Sequence, residues 1–252
     1  MPLQIKSVLI FVFVLYISFL SRAVSFPGPN DTRVDAGPLP EPVSATNRRV
    51  SMATVRDLLV VVDSSSGIHP GMFSIMKTQL SRLVKMLCLI PNPFDRYHRM
   101  ALLQFSNTVR VVFDFNDKPS TDLVRQGIQS MSHMGGDRCI GNALEYARGM
   151  FTAAKGMRSD PNVIHEVLLL TSGPSNCGSS LYAATRRLYQ MANVYVLGVG
   201  ALRPSDVLQL NQIGNMPTNR HIFGIDGFNT LSGLVEELEA QSAAVPCVPF
   251  DI

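Results

Sequence analysis

The chain has 252 residues, of which 46% are apolar and 16% charged, enough apolar material for a sizeable core and one α/β domain of about 190 residues with extensions. The formal charge is +3, and removing Lys6 and Arg22 with a cleavable leader leaves 20 basic against 19 acidic residues. No basic run remains, which argues against nucleic acid or an anionic membrane surface as partner.

Lys6 precedes an apolar run from Val8 to Leu20, and Ala23-Val24-Ser25 supplies small residues before Phe26. This reads as a signal peptide over 1–25, since the run falls short of the roughly 20 residues that span a bilayer. The expected product is secreted, into the extracellular space or matrix, with no membrane span. In an oxidising compartment the four cysteines, Cys88, Cys139, Cys177 and Cys247, suggest two disulfides, with three connectivities open.

Residues 26–54 are rich in proline and glycine and read as a linker; Asn30-Asp31-Thr32 within it is a glycosylation sequon at Asn30. The folded part is expected over 55–243, with a tail over 244–252. Leu58 to Val62 is a continuous apolar run that stops at Asp63-Ser64-Ser65-Ser66-Gly67, as a buried parallel strand would at its carboxyl end. Apolar residues at helical spacing follow from Pro70 to Ile90. Arg99 to Phe105 and Val109 to Phe113 flank Ser106-Asn107 and read as a hairpin that puts one antiparallel strand at the edge. Helices are predicted over 122–131 and 140–154, a strand over 163–170, a helix over 179–191, a strand over 194–199, a helix over 204–213, a short strand over 221–225 and a last helix over 228–240. This alternation predicts a doubly wound, mostly parallel sheet with helices on both faces.

The motifs of catalysis are missing. Gly198-Val199-Gly200 has Arg203 where a dinucleotide turn needs its third glycine, and Ser65 lacks the preceding glycine of a nucleophile elbow. Histidines 69, 98, 133, 165 and 221 are scattered and read as surface or loop residues. A hydrolase built on Ser65 or Ser66 has no identifiable general base, so the chain is read as a non-enzyme without cofactors.

Five segments in this order resemble the von Willebrand factor A domain, and most nearly the A domains of the long collagen type VI chains. They are Asp57-Leu-Leu-Val-Val-Val-Asp63-Ser-Ser-Ser, Arg99-Met-Ala-Leu-Leu-Gln-Phe-Ser106, Gly135-Gly136 with Gly141-Asn-Ala-Leu144, Val167-Leu-Leu-Leu-Thr-Ser-Gly173 and Val194-Tyr-Val-Leu-Gly-Val-Gly200. The resemblance implies a Rossmann-like fold whose strand ends hold a divalent ion at a metal-ion-dependent adhesion site. A hard ion such as Mg²⁺ takes oxygen ligands in octahedral geometry. Asp63 and Ser65 match the family pattern; Gly67 stands at a serine position, Arg138 at a threonine (or Cys139, with a shift of one), and Ser172 at an aspartate. The implied site is degenerate and the expected metal is none. The Arg138 guanidinium either replaces the ion beside Asp63 or turns to solvent. The resemblance also places Cys139 and Cys177 in neighbouring loops, implying a disulfide between them. Cys88 ends the first helix and Cys247 follows the last, so these two fall at the opposite pole, where either they pair or Cys247 links another chain.

The function implied is a secreted extracellular-matrix or cell-adhesion type protein-binding module, metal-independent, with matrix proteins, collagens among them, as partners. The oligomeric state is open. Two alternatives stand beside it: a structural component joined to other chains by disulfide, or a metal-dependent adhesion domain. No Gly-X-Y tract is present, so the chain forms no triple helix itself.

Overall fold

The apolar run at 58–62 is the middle of β1 (Val55–Asp63), every residue of which is buried. In the computed structural model, which describes residues 55–86, 98–216, 218 and 221–242, β1 lies at the centre of a six-stranded sheet. The other strands are β2 (Arg99–Phe105), β3 (Val109–Phe113), β4 (Val163–Thr171), β5 (Asn193–Val199) and β6 (Ile222–Ile225), in the order β3-β2-β1-β4-β5-β6. All neighbours are parallel except β2 and β3, which form the antiparallel edge pair, with an irregularity between Leu102 and Leu103. The fold is therefore the mostly parallel, doubly wound sheet expected. The leader, the linker with Asn30, the tail, Cys88 and Cys247 lie outside the described residues.

Among the described residues six helices cover the sheet: α1 (Pro70–Lys85), α2 (Thr121–Gln129), α3 (Ile140–Met150), α4 (Leu181–Leu188), α5 (Pro204–Leu210) and α6 (Phe228–Ser242). Successive residues of β1 point to opposite faces. Leu58, Val60 and Val62 pack with Phe73, Met76 and Leu80 of α1, Ile128 of α2 and Val235 of α6. Leu59 and Val61 pack with Ile140 and Leu144 of α3, Leu188 of α4 and Leu210 of α5. A strand with a core on each side needs an unbroken apolar sequence, which is why β1 shows no alternation.

Helix boundaries depart from the sequence reading at their C-termini. α1 is capped at Met86, short of Ile90, whose surroundings lie outside the described residues. α3 stops at Met150 and hands over to a 3-10 turn at Ala153–Lys155. At its start, α1 has Pro70 in the first turn, and His69 Nδ1 accepts from the backbone N–H of Gly71 at 3.2 Å. A proline there costs no hydrogen bond, because that N–H has no partner within the helix.

Candidate functional site

Three loops meet at the carboxyl end of the parallel strands, where open α/β sheets bind ligands. The first follows β1, the second links α2 to α3, and the third follows β4. Ser66 N donates to Gly136 O at 2.8 Å and Gly135 N to Ser64 O at 2.9 Å, joining the first loop to the second. Ser64 Oγ adds to this by accepting from Met134 N at 2.9 Å and from Gln104 Nε2 of β2 at 2.8 Å. The second loop can turn back so tightly because Gly135 and Gly136 take φ of 69° and 80°, a region that other residues rarely occupy.

The second and third loops are joined covalently. Cys139 and Cys177 form a disulfide with Cα atoms 4.6 Å apart. Around it, Arg138 N donates to Asn176 Oδ1 at 2.7 Å, Asn176 N to Arg138 O at 3.1 Å, and Ile140 N to Ser175 Oγ at 3.1 Å.

At the centre sits Asp63, with no solvent exposure. Its Oδ1 accepts from Ser65 N at 2.9 Å. Its Oδ2 accepts from Arg138 Nε at 2.7 Å, Ser172 N at 3.0 Å and Ser172 Oγ at 3.1 Å, with Thr171 Oγ1 at 3.2 Å. Of the two orientations open to the Arg138 guanidinium, the structure has it turned inward. Its Nη2 donates to Ser172 Oγ at 2.7 Å and its Nη1 to Pro174 O at 3.0 Å, and the side chain is 12% exposed. A Cβ at Gly67 would overlap Arg138 Nη2, and one at Gly173 would come within 2.7 Å of Nη1. The five positions singled out in the sequence, Asp63, Ser65, Gly67, Arg138 and Ser172, are thus brought together around one carboxylate and one guanidinium.

Ser65 is buried, and its Oγ meets no hydrogen-bond partner among the described residues. The nearby His133 places Nε2 3.1 Å from the carbonyl oxygen of Ser65, not on its hydroxyl, so the pair lacks the geometry of a nucleophile and its base. Among the described residues, no group of three or more His, Cys, Asp and Glu side chains could hold a metal ion.

The sequence model of the von Willebrand factor type A domain matches residues 57–237. The chain belongs to that family. Its A domain is 29% identical to the human collagen alpha-6(VI) chain over 182 residues, which is 72% of this chain and 8% of the collagen. It is likewise 29% identical to mouse matrilin-4 over 187 residues, covering 73% of this chain and 29% of the matrilin. Among solved structures, proximal thread matrix protein 1 from the mussel byssus superposes with a TM-score of 0.63 at 26% identity, over 72% of this chain and 46% of that one. The mussel protein has also been solved with zinc in its metal-ion-dependent adhesion site. The chain therefore spans less than half the length of each of these relatives.

The A domain carries a second polar centre, at the opposite end of β1, that the sequence reading missed. Asp57, fully buried, accepts from Arg158 Nε at 2.8 Å, Arg158 Nη2 at 2.6 Å and Arg158 N at 2.8 Å. On the other face Arg56 Nε lies 2.9 Å from Glu166, both almost wholly buried. Burial pushes the Glu166 carboxyl above its ordinary range, against the pull of Arg56. His98 is a loop residue, immediately before β2, but it is buried and not at the surface, and its Nδ1 accepts from Arg56 N at 3.1 Å. Burial and two neighbouring guanidinium groups, Arg56 and Arg158, lower its pKa to about 3. Two adjacent charged residues at the start of the strand, Arg56-Asp57 ahead of the apolar run, were the available signal.

Proposed function

We propose that this chain is a secreted, extracellular-matrix or cell-adhesion type protein-binding module that engages its partner without a divalent cation. The observation that carries the reading is the Arg138–Asp63 pair. A divalent ion at this rim would need the Asp63 carboxylate and several further oxygens, and it would have to displace or share space with a guanidinium 2.7 Å from that carboxylate. The guanidinium brings a positive charge to the place a dication would occupy, and like charges that close repel. Gly67 offers no side-chain oxygen, and Ser172 offers a hydroxyl where a second carboxylate would be needed. The residues present do not fit the ion.

What the metal does elsewhere in the family, drawing the loops together around a charge, is done here by the guanidinium and the Cys139–Cys177 disulfide. Relatives among the collagens, matrilins and byssal matrix proteins support a matrix setting. The leader over 1–25 supports export. The test is twofold. Calorimetric titration of the mature chain with Mg²⁺ and Mn²⁺ is expected to give no binding heat. Capture of extracellular-matrix proteins on the immobilised chain is expected to be the same with and without EDTA. Micromolar cation binding, or loss of capture in EDTA, would refute the metal-free reading.

A further inference from the structure

Several charged side chains of the described helices are paired, and against them one pair of neighbouring helices carries a local surplus of positive charge. Arg82 of α1 lies against Glu239 and Glu236 of α6, at 2.6 and 3.6 Å. Asp122 and Arg125 pair within α2, and Arg203 pairs with Asp206 at the start of α5. On the neighbouring helices α3 and α4 the balance fails. Glu145 is shared by Arg187 at 2.8 Å and Arg148 at 3.5 Å, whose side chains are 60% and 48% exposed. Exposed Arg186 meets no carboxylate among the described residues; its Nη1 lies 3.5 Å from the hydroxyl of Tyr182. Tyr182, in the first turn of α4, is 66% exposed.

We infer that the exposed face formed by α3 and α4 is a docking surface for an acidic segment of a partner protein. This deepens, and rests on, the reading of the chain as a binding module. Three guanidinium groups against one carboxylate leave a surplus of positive charge beside a large exposed ring. Arginine and tyrosine together are the residues that most often dominate protein interfaces. Guanidinium forks hold carboxylates in pairs of charge-assisted hydrogen bonds, so an acidic side chain gains more here than a neutral one. The rim cannot serve an acidic partner in the same way, because Arg138 is already engaged by Asp63, Ser172 and Pro174. A protein segment suits the surface better than a sulfated polysaccharide: Glu145 interrupts the track of positive charge, and the Tyr182 ring offers an apolar contact that a polysulfate would not use.

The test uses the mature full chain and two fluorescein-labelled probes, a decaglutamate peptide and a heparin decasaccharide, followed by anisotropy at low salt. The peptide is expected to bind, and the double charge reversal Arg186→Glu with Arg187→Glu to weaken it by roughly ten-fold or more. Tyr182→Ala is expected to weaken it by roughly three-fold or more, whereas Arg125→Glu, on the other side of the sheet, leaves it unchanged. All four positions are exposed or partly exposed, and circular dichroism verifies the fold of each variant. Failure of the peptide to bind, an affinity within two-fold after the charge reversal, or binding of heparin alone would overturn the assignment. Binding that needs Mg²⁺ yet still collapses on charge reversal would refute the metal-free reading and leave this surface standing.

Discussion

Arg138 Nη2 occupies the space that the first carbon of any side chain at position 67 would enter, so Gly67 and Arg138 are a matched pair. The two residues are 71 positions apart in the chain and belong to different loops. A glycine at 67 looks in the sequence like a lost ligand; in the fold it is the vacancy that admits the guanidinium to Asp63.

Substituting Gly67→Ser alone therefore overfills the rim. It is expected to lower stability by about 1–3 kcal/mol, the range for extra atoms forced into a packed site. Paired with Arg138→Thr the clash disappears, so the two changes should be non-additive by about 1 kcal/mol or more in urea denaturation. Simple additivity would show that the two positions do not interact.

Removing the guanidinium without replacement leaves Asp63 buried with only neutral donors. Arg138→Ala should cost roughly 2–4 kcal/mol, as expected for half of a buried ion pair. An unchanged unfolding midpoint would mean that the pair contributes nothing to the fold.

Restoring oxygen ligands should restore the ion. The triple variant Gly67→Ser, Arg138→Thr, Ser172→Asp rebuilds three oxygen donors around Asp63 and Ser65, and calorimetry should then detect Mg²⁺ or Mn²⁺ binding absent from the parent. A folded triple variant that binds neither would place the obstacle elsewhere in the rim.

The loops should also depend on their covalent link. Cys139 and Cys177 are 38 residues apart, and opening a loop of that length by Cys139→Ser with Cys177→Ser should cost roughly 3–4 kcal/mol by chain entropy. Thermal unfolding of the variant measures it. Non-reducing peptide mapping should recover the two cysteines in one fragment; finding Cys139 joined to Cys88 or Cys247 would contradict the pairing.

At the other pole, acid should weaken the fold through His98. Its folded pKa, about 3, lies below the ordinary histidine value, so the unfolded chain takes up the proton first. Its contribution is constant above about pH 7, and stability falls as the pH drops through 6.5 toward 3. Between pH 6.5 and pH 5 this group alone should cost about 2 kcal/mol. Comparing the pH dependence of urea unfolding with that of His98→Gln isolates the term from the opposing effect of Glu166, whose raised pKa favours the fold in acid. Parallel curves for the two proteins would exclude it.

Much of the architecture could be read from the sequence, because uninterrupted runs such as Leu58–Val62 and Val167–Leu170 arise where strands are covered on both faces, and helical spacing is plain between them. The cluster of rim positions was reachable only through family resemblance, since Asp63 and Arg138 share no local pattern. Whether Arg138 turned inward could not be decided without knowing that Gly67 leaves room for it. The Asp57–Arg158 centre escaped notice for a different reason. A single charged residue at a strand's start reads as solvated unless its partner, 101 positions away, is known to fold over it.

β1 carries an aspartate near each end, Asp57 and Asp63, on the same face, fully buried, and each held by an arginine from a distant loop. Between them stand only leucines and valines, which would pack almost equally well if the strand slid along its neighbours. A shift of one residue would turn both carboxylates to the opposite face and strand them away from Arg158 and Arg138. The two ion pairs act as alignment pins, giving an otherwise uniform strand a single setting against β2 and β4.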